Sequence, residues 1–317
     1  PMNASFRTIV LALAALAPAA SVSAASIPNA PVPGPSFKTA DIGGGITLHY
    51  AQEGTGAPLI FVHGSISDYG YWEDQIGPFS KHYRAIAYSR RYNYPNSNPS
   101  RAGYSAVTDA DDLAAFIKKL HLGKVYLIGH SYGALTALFF ASRHPELVRA
   151  VVLAEAPAVP LLRDLPGNRA REGVNEANDI DRRMIAPMKA AFRRGRTELG
   201  VATFVDYVYG DPNAWAKMSA SSRAQTMRDA HEWDVMLTSG TLFPPITPQE
   251  VEKVTMPVMV LSGDKSYHFL TLIDQELASL LPENVHVIVH GAGHQMWYQQ
   301  PAICRGLVEA FFEQTAQ

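Results

Sequence analysis

Short apolar segments recur along the chain from residue 46 onwards, and stretches with helical spacing of apolar residues separate them. Residues 59–62 read LIFV and residues 150–154 read AVVLA, with no polar interruption. Such runs indicate strands covered on both faces, whereas residues 46–51 alternate like a half-exposed strand. The predicted strands are residues 46–51, 59–62, 85–88, 124–129, 150–154, 258–262 and 285–289.

Helical patterns fill most of the intervals between these strands. Residues 108–120 begin with acidic side chains, Asp109 among them, and end with Lys118 and Lys119, an order that suits the helix dipole. Further helices are predicted at residues 134–143, 270–281 and 302–312. This alternation predicts an α/β fold, with a mostly parallel sheet and helices on both faces.

One long stretch, residues 159–254, contains helical patterns but no apolar strand. A helical insertion of this size predicts a cap over the carboxyl edge of the strands, where open α/β sheets bind ligands. We therefore predict a core of residues 41–157 and 252–317. The helical cap, residues 158–251, follows the strand that ends near Glu155. Residues 26–40, rich in proline at their start, are predicted to be a linker.

The N-terminal segment has the pattern of a secretory signal peptide. Arg7 precedes an apolar run at residues 8–20, and small residues follow the run. This run is too short for a permanent membrane-spanning helix. We predict a signal peptide of residues 1–25, cleaved near Ala24 or Ala25. The mature protein is then expected to be secreted or periplasmic, without stable membrane insertion.

Composition narrows the function classes. Of the 317 residues, 47% are hydrophobic and 18% charged, which favours a packed globular core over disorder. The formal net charge of −2 gives no basic surplus that would indicate a nucleic-acid partner. Cys304 is the single cysteine, so no disulfide can form within the chain. The sequence has no HExxH motif and no cysteine cluster, so we predict neither a metal site nor a cofactor.

The segment Gly129-His130-Ser131-Tyr132-Gly133 is a G-x-S-x-G motif between a predicted strand and a predicted helix. In this context the motif forms a sharp turn that projects the serine hydroxyl above the sheet. Flanking glycines let neighbouring backbone pass closely. We predict that Ser131 is a nucleophile and that the Tyr132 N–H helps to bind an oxyanion.

A second signal comes from His63-Gly64-Ser65, which directly follows the LIFV strand. A turn here can present a further oxyanion donor, and we expect the N–H of Ser65, beside Gly64, to be that donor. Losing one such donor typically slows an enzyme about 100- to 1000-fold. Taken alone, the segment reads as an ordinary turn at the end of a strand.

The third signal is His294, which follows the small-residue run Gly291-Ala292-Gly293 after the last predicted strand. A nucleophilic serine needs a base within hydrogen-bond reach. His294 is placed to reach the same sheet edge as Ser131. Of the other histidines, His63 and His130 are predicted to make supporting or pocket contacts.

These motifs together resemble the α/β-hydrolase superfamily over residues 45–315. The resemblance implies a serine esterase or lactonase with a Ser-His-acid triad. Most members place the acid in a G-x-x-D pattern, but here Ser266 stands at that position and Asp264 comes two residues early. Glu155 instead ends the strand before the cap, as in zearalenone-type lactonases. We favour Glu155 as the acid, with Asp264 as the alternative.

The sequence departs from the superfamily after the strand at residues 85–88. A glycine-rich turn is replaced by residues 89–99, which are rich in tyrosine, asparagine and proline and are predicted to line the substrate entrance. Apolar cap residues, Phe243 among them, and aromatic residues near the turns indicate an apolar or aromatic substrate, although each also suits a core position. The predicted pocket residues are Tyr69, Trp72, His130, Trp215, Trp233, Met236 and Trp297.

The predicted reaction is hydrolysis of a small carboxylic ester or lactone through an acyl-enzyme. A C–C bond hydrolase, a hydroxynitrile lyase and a perhydrolase would use the same triad, so they stay open. A further alternative is a non-catalytic or single-turnover ligand receptor with the same fold. Aspartate-dependent haloalkane dehalogenases and epoxide hydrolases are disfavoured by the serine.

Overall fold

The computed structural model describes residues 34–316, so the predicted signal peptide lies outside the described residues. An eight-stranded sheet forms the centre, with the strand order β1-β2-β4-β3-β5-β6-β7-β8. The strands are β1 Ser36–Gly43, β2 Ile46–Glu53, β3 Ala57–Val62, β4 Tyr83–Tyr88, β5 Val125–His130, β6 Val148–Ala154, β7 Val258–Gly263 and β8 Asn284–Val289. The pairs β1–β2 and β2–β4 are antiparallel, and all other pairs are parallel.

The helices cover both faces of the sheet. They are α1 Glu73–Phe79, α2 Ala106–Lys119, α3 Tyr132–Arg143, α4 Ala170–Ile180, α5 Ala186–Arg193, α6 Thr197–Tyr209, α7 Ala214–Lys217, α8 Ala220–Arg228, α9 Ala230–Ser239, α10 Pro248–Val251, α11 His268–Leu280, α12 Met296–Gln299 and α13 Pro301–Thr315. A π-helical turn, Asp181–Ile185, joins α4 to α5. The predicted fold class, α/β-hydrolase, is confirmed.

The central strands divide their side chains between two apolar clusters, as buried parallel strands require. In β3, Ile60 and Val62 pack in the cluster that contains α2, α3 and α11. Leu59 and Phe61 pack in the opposite cluster, with side chains of α1 and α13. Both faces of the central strands are thereby covered by apolar side chains.

The first strand corrects the predicted linker. Residues 26–40 were predicted to be a linker ahead of the core, but Ser36–Gly43 pairs with β2 as an edge strand of the sheet. Its side chains alternate little in burial, since only Ala40 is buried and Phe37 is 68% exposed. The strand forms because its backbone completes the edge of the sheet, a contribution that hydrophobic patterning does not record.

Between β6 and β7 the chain leaves the sheet and forms the helices α4 to α10. These helices bury apolar side chains against one another and against the sheet edge; Phe204 and Trp233, for example, have ring centroids 4.4 Å apart. Within residues 34–316, no helix has the length and apolar character needed to cross a bilayer.

Candidate active site

Ser131 lies in a sharp turn between β5 and α3. Its backbone angles, φ 54° and ψ −124°, fall in a region that residues with a Cβ rarely adopt. The Ser131 N–H donates to the carbonyl of Ala154 at 2.9 Å, which holds the turn against the end of β6. Strain of this kind persists only where the surroundings enforce it, and it commonly marks a functional position.

Two glycines make that turn possible. A Cβ on Gly129 would lie 2.5 Å from the carbonyl oxygen of Gly133, and a Cβ on Gly133 would lie 2.2 Å from that of Val62. Real Cβ atoms do not approach backbone oxygens so closely, so both positions of the G-x-S-x-G motif require glycine. The motif therefore reflects the close passage of α3 over β3 and β5.

Glu155 meets His294 at the same sheet edge. Oε2 of Glu155 accepts a hydrogen bond from Nδ1 of His294 at 2.5 Å. The Glu155 side chain is fully buried, and its oxygens also accept from the N–H of Gly263 at 2.8 Å and from Ser266 Oγ at 2.7 Å. Because a carboxylate only accepts, Nδ1 of His294 carries the proton, and Nε2 keeps a free lone pair.

Asp264, the alternative acid, faces another way. Its Oδ1 accepts from the N–H of Gly291 at 2.8 Å, and its Oδ2 lies 3.2 Å from Nδ1 of His290. Slight burial opposes the shift, but these two hydrogen bonds lower the pKa of Asp264 below its usual value. Asp264 thus fixes the start of the loop that carries His294, whereas Glu155 contacts the histidine ring.

The turn after β3 packs against the serine. A Cβ on Gly64 would lie 3.1 Å from Cβ of Ser131, so the backbone of this turn borders the nucleophile directly. His63 Nε2 accepts from the N–H of Arg90 at 3.0 Å, and His63 Nδ1 donates to the carbonyl of Gly64 at 2.8 Å. Burial, together with the nearby Arg90 charge, lowers the pKa of His63 well below its usual value. A neutral His63 therefore shapes the turn.

His130 supports the backbone of the other histidine. Its Nε2 donates to the carbonyl of His294 at 2.7 Å, and its ring stacks on Tyr71 with centroids 5.1 Å apart. Burial and the neighbouring His294 lower the pKa of His130 well below its usual value. His130 is thus a neutral donor that fixes the His294 loop.

Ser65, Ser131 and His294 border two cavities at this edge. The more enclosed cavity is lined by apolar cap and core side chains, including Ile180, Met184, Phe204, Trp233, Leu242, Phe243 and Phe269. The more open cavity has polar groups on its wall, including Ser67, Tyr71, His130, Thr226, Gln295 and Tyr298. Among the described residues, no Asp, Glu, Lys or Arg side chain lines either cavity.

Known proteins similar to this chain include several hydrolases. Residues 57–177 match the family model of the alpha/beta hydrolase fold. The chain is 27% identical, over 85% of its length and 93% of the relative, to 2-(acetamidomethylene)succinate hydrolase of Mesorhizobium japonicum. It is 28% identical, over 77% of its length and 82% of the relative, to 2-hydroxy-6-oxo-6-(2'-aminophenyl)hexa-2,4-dienoic acid hydrolase of Metapseudomonas resinovorans.

A solved structure gives the same architecture. The enol-lactonase of Burkholderia xenovorans superposes with a TM-score of 0.67 at 18% identity, covering 88% of this chain and all of that one. The chain has the α/β-hydrolase fold. At 18% identity the superposition shows the shared fold alone, because one fold supports many different reactions.

The residues that line the two cavities differ in part from those predicted for the substrate pocket. Trp233 and His130 line the cavities, as does Phe243. Five other predicted residues lie elsewhere, because their side chains pack inside the protein or on another surface. They are Tyr69, Trp72, Trp215, Met236 and Trp297.

The reasons differ among these five residues. Trp72 and Trp297 pack against each other beneath the site, with centroids 5.0 Å apart. Trp215 is held inside the cap, where its indole N–H donates to Glu198 at 3.2 Å, and Met236 is 1% exposed in the core of the molecule. Tyr69 contacts Phe37 of β1. Aromatic identity alone therefore did not distinguish cavity wall from core.

The replaced loop after β4 in this α/β-hydrolase contains a group that sequence reasoning missed. Arg90 is fully buried and bonds to Asp109 and to Glu232 of α9. Residues 89–99 were predicted to line the substrate entrance, but none of them borders either cavity.

Within residues 34–316 no group of three or more His, Cys, Asp or Glu residues could hold a metal ion.

Proposed function

We propose that this hydrolase cleaves a neutral carboxylic ester or lactone with Ser131 as nucleophile, His294 as base and Glu155 as acid. The observation that carries the proposal is the 2.5 Å hydrogen bond between Glu155 and His294, beside a cavity that His294 shares with Ser131. The strained backbone of Ser131 adds independent support. A nucleophile, an oriented base and a buried acid are the three groups that this reaction needs.

The proposed reaction has two stages, formation and hydrolysis of an acyl-enzyme. Nε2 of His294 takes the proton of Ser131 as Oγ attacks the substrate carbonyl carbon. The N–H groups of Ser65 and Tyr132 bind the oxygen, which becomes negatively charged. His294 then protonates the leaving oxygen, and the acyl-enzyme forms. Water, deprotonated by Nε2 of His294, attacks the acyl carbon. His294 then returns the proton to Oγ of Ser131 as the bond from Oγ to the acyl carbon breaks; from a lactone, the released product is a hydroxy acid.

Glu155 acts by orienting the base. Its three hydrogen bonds, from His294, Gly263 and Ser266, keep it satisfied although it is fully buried. The carboxylate holds the tautomer of His294 that has a free Nε2 lone pair, and it stabilises the imidazolium formed during the reaction.

The cavity lining supports a neutral substrate. Recognition of a carboxylate normally uses an arginine or lysine, and among the described residues neither type lines the two cavities. The two relatives named above act on a succinate and on a dienoic acid, as their names state. A carbonyl substrate with apolar substituents suits this lining better, so we favour an ester or lactone over a C–C bond substrate that carries a carboxylate.

Hydrolysis of p-nitrophenyl esters of short and medium chain length, alongside opening of an aromatic lactone, tests the proposal. We expect repeated turnover by the wild type and loss of about 1,000-fold or more in kcat for Ser131→Ala and Glu155→Gln. Asp264→Asn is the matched control and should lose less than about tenfold in kcat, because Asp264 bonds to Gly291 and His290 and not to the imidazole of His294. Collapse of Asp264→Asn with an active Glu155→Gln would overturn the assignment of the acid.

A further inference from the structure

Arg90 and Glu232 form a fully buried ion pair that the proposed reaction does not use directly. Arg90 follows β4 in the core of the molecule, whereas Glu232 lies on α9 between β6 and β7. A buried pair is weak evidence for stability, since replacing it with apolar side chains often costs nothing. The contacts of this pair with the turn after β3 indicate another role.

Arg90 donates hydrogen bonds to two backbone carbonyls of the turn after β3. Its NH2 group donates to the carbonyl of Gly64 at 3.0 Å, and its Nε donates to the carbonyl of His63 at 3.3 Å. The Gly64 carbonyl and the Ser65 N–H belong to one trans peptide group, so they point in opposite directions. Fixing the carbonyl therefore aims the N–H that we assign to the oxyanion, and the donated hydrogen bonds also polarise it.

Glu232 accepts a hydrogen bond from the next peptide group of the turn, which joins Ser65 to Ile66. Its Oε2 accepts from the N–H of Ile66 at 3.0 Å and from Asn93 Nδ2 at 2.8 Å, while its Oε1 bonds to Arg90. Ile66 has φ 43°, a left-handed conformation that a β-branched residue adopts only under constraint. The peptides on both sides of Ser65 are thus held by one ion pair.

We propose that Arg90 and Glu232 are positioning residues that aim the Ser65 N–H, so that α9 completes the oxyanion hole. The proposal rests on the function proposed above, because it presupposes that Ser65 binds an oxyanion. The Arg90 guanidinium also lies over the ring of Tyr132, 4.9 Å from its centroid, and Tyr132 supplies the other proposed donor. Arg90 therefore contacts the side chain of Tyr132 and the peptide group that carries the Ser65 N–H.

A neighbouring ion pair provides the control. Arg91 bonds to Asp112 at 2.6 and 2.7 Å, in the same loop and with little exposure. Among the described residues, this pair makes no hydrogen bond to residues 63–66. Arg91→Lys thus perturbs a similar ion pair without touching the turn, and it separates a loss of positioning from a loss of loop stability.

The test is the rate at which a fluorophosphonate labels Ser131 in the full-length protein, measured per folded molecule. Oγ displaces fluoride from phosphorus, the proton passes to His294, and the phosphoryl oxygen occupies the oxyanion site. We expect Glu232→Gln to lower the labelling rate about 10- to 100-fold, as a misaimed donor should. Arg91→Lys should stay within about twofold.

A second readout excludes a merely structural role. Glu232→Gln should lower kcat on a p-nitrophenyl ester while KM changes less than about threefold, since the donor acts mainly in the transition state. Arg90→Lys keeps the cation but not the planar fork, and it gives the same measurement if Glu232→Gln folds poorly.

The outcomes separate the two proposals. If Ser131 is labelled in Glu232→Gln and in Arg90→Lys as fast as in the wild type, the positioning role is wrong and the proposed function stands. If the wild type itself is not labelled at Ser131, the proposed function is wrong and the positioning role falls with it.

Discussion

Ser266 donates a hydrogen bond of 2.7 Å to Oε2 of Glu155, the same carboxylate oxygen that accepts from His294. Ser266 occupies the position where the superfamily pattern expects an acid. In this protein the hydroxyl there supports an acid that comes from another strand end. The two residues are 111 positions apart in the sequence, so only the fold brings them together.

Removing that hydroxyl should weaken catalysis without abolishing it. Ser266→Ala deletes a charge-assisted hydrogen bond worth about 1.5–3 kcal/mol. Glu155 keeps its bonds to Gly263 and His294, so we expect kcat/KM for a p-nitrophenyl ester to fall about 5- to 50-fold. Ser266→Thr, which retains the hydroxyl, is the control and should stay within about threefold. An unchanged Ser266→Ala would mean that the bond does not help to orient Glu155.

The close passage of α3 over β3 predicts a severe steric effect at Gly133. Gly133→Ala would place a Cβ 2.2 Å from the carbonyl oxygen of Val62, so the backbone must shift. We expect a loss of about 3 kcal/mol or more in the free energy of unfolding, measured by urea denaturation. Gly306 lies on α13 with open space around its Cβ position. Gly306→Ala should therefore stabilise the protein by about 0.5–1 kcal/mol; equal effects at the two sites would refute the steric explanation.

Asp229 predicts a pH-dependent effect on stability. Burial raises the pKa of Asp229 from 3.8 to about 7, although the Tyr94 N–H bond opposes the shift. Since the folded state binds this proton more tightly than the unfolded state, stability from this group is full below about pH 4 and is lost as the pH rises towards 7.

Asp229→Asn removes that ionisation and can still accept from Tyr94. A full shift of about three pKa units corresponds to about 4 kcal/mol, and we expect about half at pH 8, because the ionised group can relax towards Arg228. The variant should thus melt about 4–8 °C above the wild type at pH 8 and within about 1 °C of it at pH 4. Thermal melts at both pH values check this, and a stabilisation independent of pH would contradict it.

Much of the fold could be predicted from the sequence because buried parallel strands have a strong local signal. Runs such as the LIFV of β3 have no polar residue, and the structure extends this strand by only two residues, to Ala57–Val62. In contrast, β1 is an edge strand with mostly exposed side chains, so its pairing with β2 left no apolar pattern. Edge pairing is a tertiary property.

In the candidate site too, residues in local motifs could be predicted from the sequence, whereas contacts between distant segments could not. Ser131 and His294 were predicted because each lies in a short local motif, and Glu155 because a charge directly after a buried strand needs an explanation. The contact between Arg90 and Glu232 joins residues 142 positions apart, and neither belongs to a motif. Trp72 and Trp297 were wrongly assigned to the pocket, because an aromatic residue in a sequence does not indicate whether its side chain lines a cavity or packs in the core.

The anchoring of α9 by Glu232 has a consequence for product release. Lifting this helix from the core would separate two fully buried charges, a change that costs several kcal/mol. A swinging lid at this point would therefore open slowly compared with side-chain motion. Tyr209 and Tyr298, which are 60% and 55% exposed, stand at the wall of the open cavity. We therefore expect substrate and product to pass between these two exposed tyrosines, without movement of α9 away from the core.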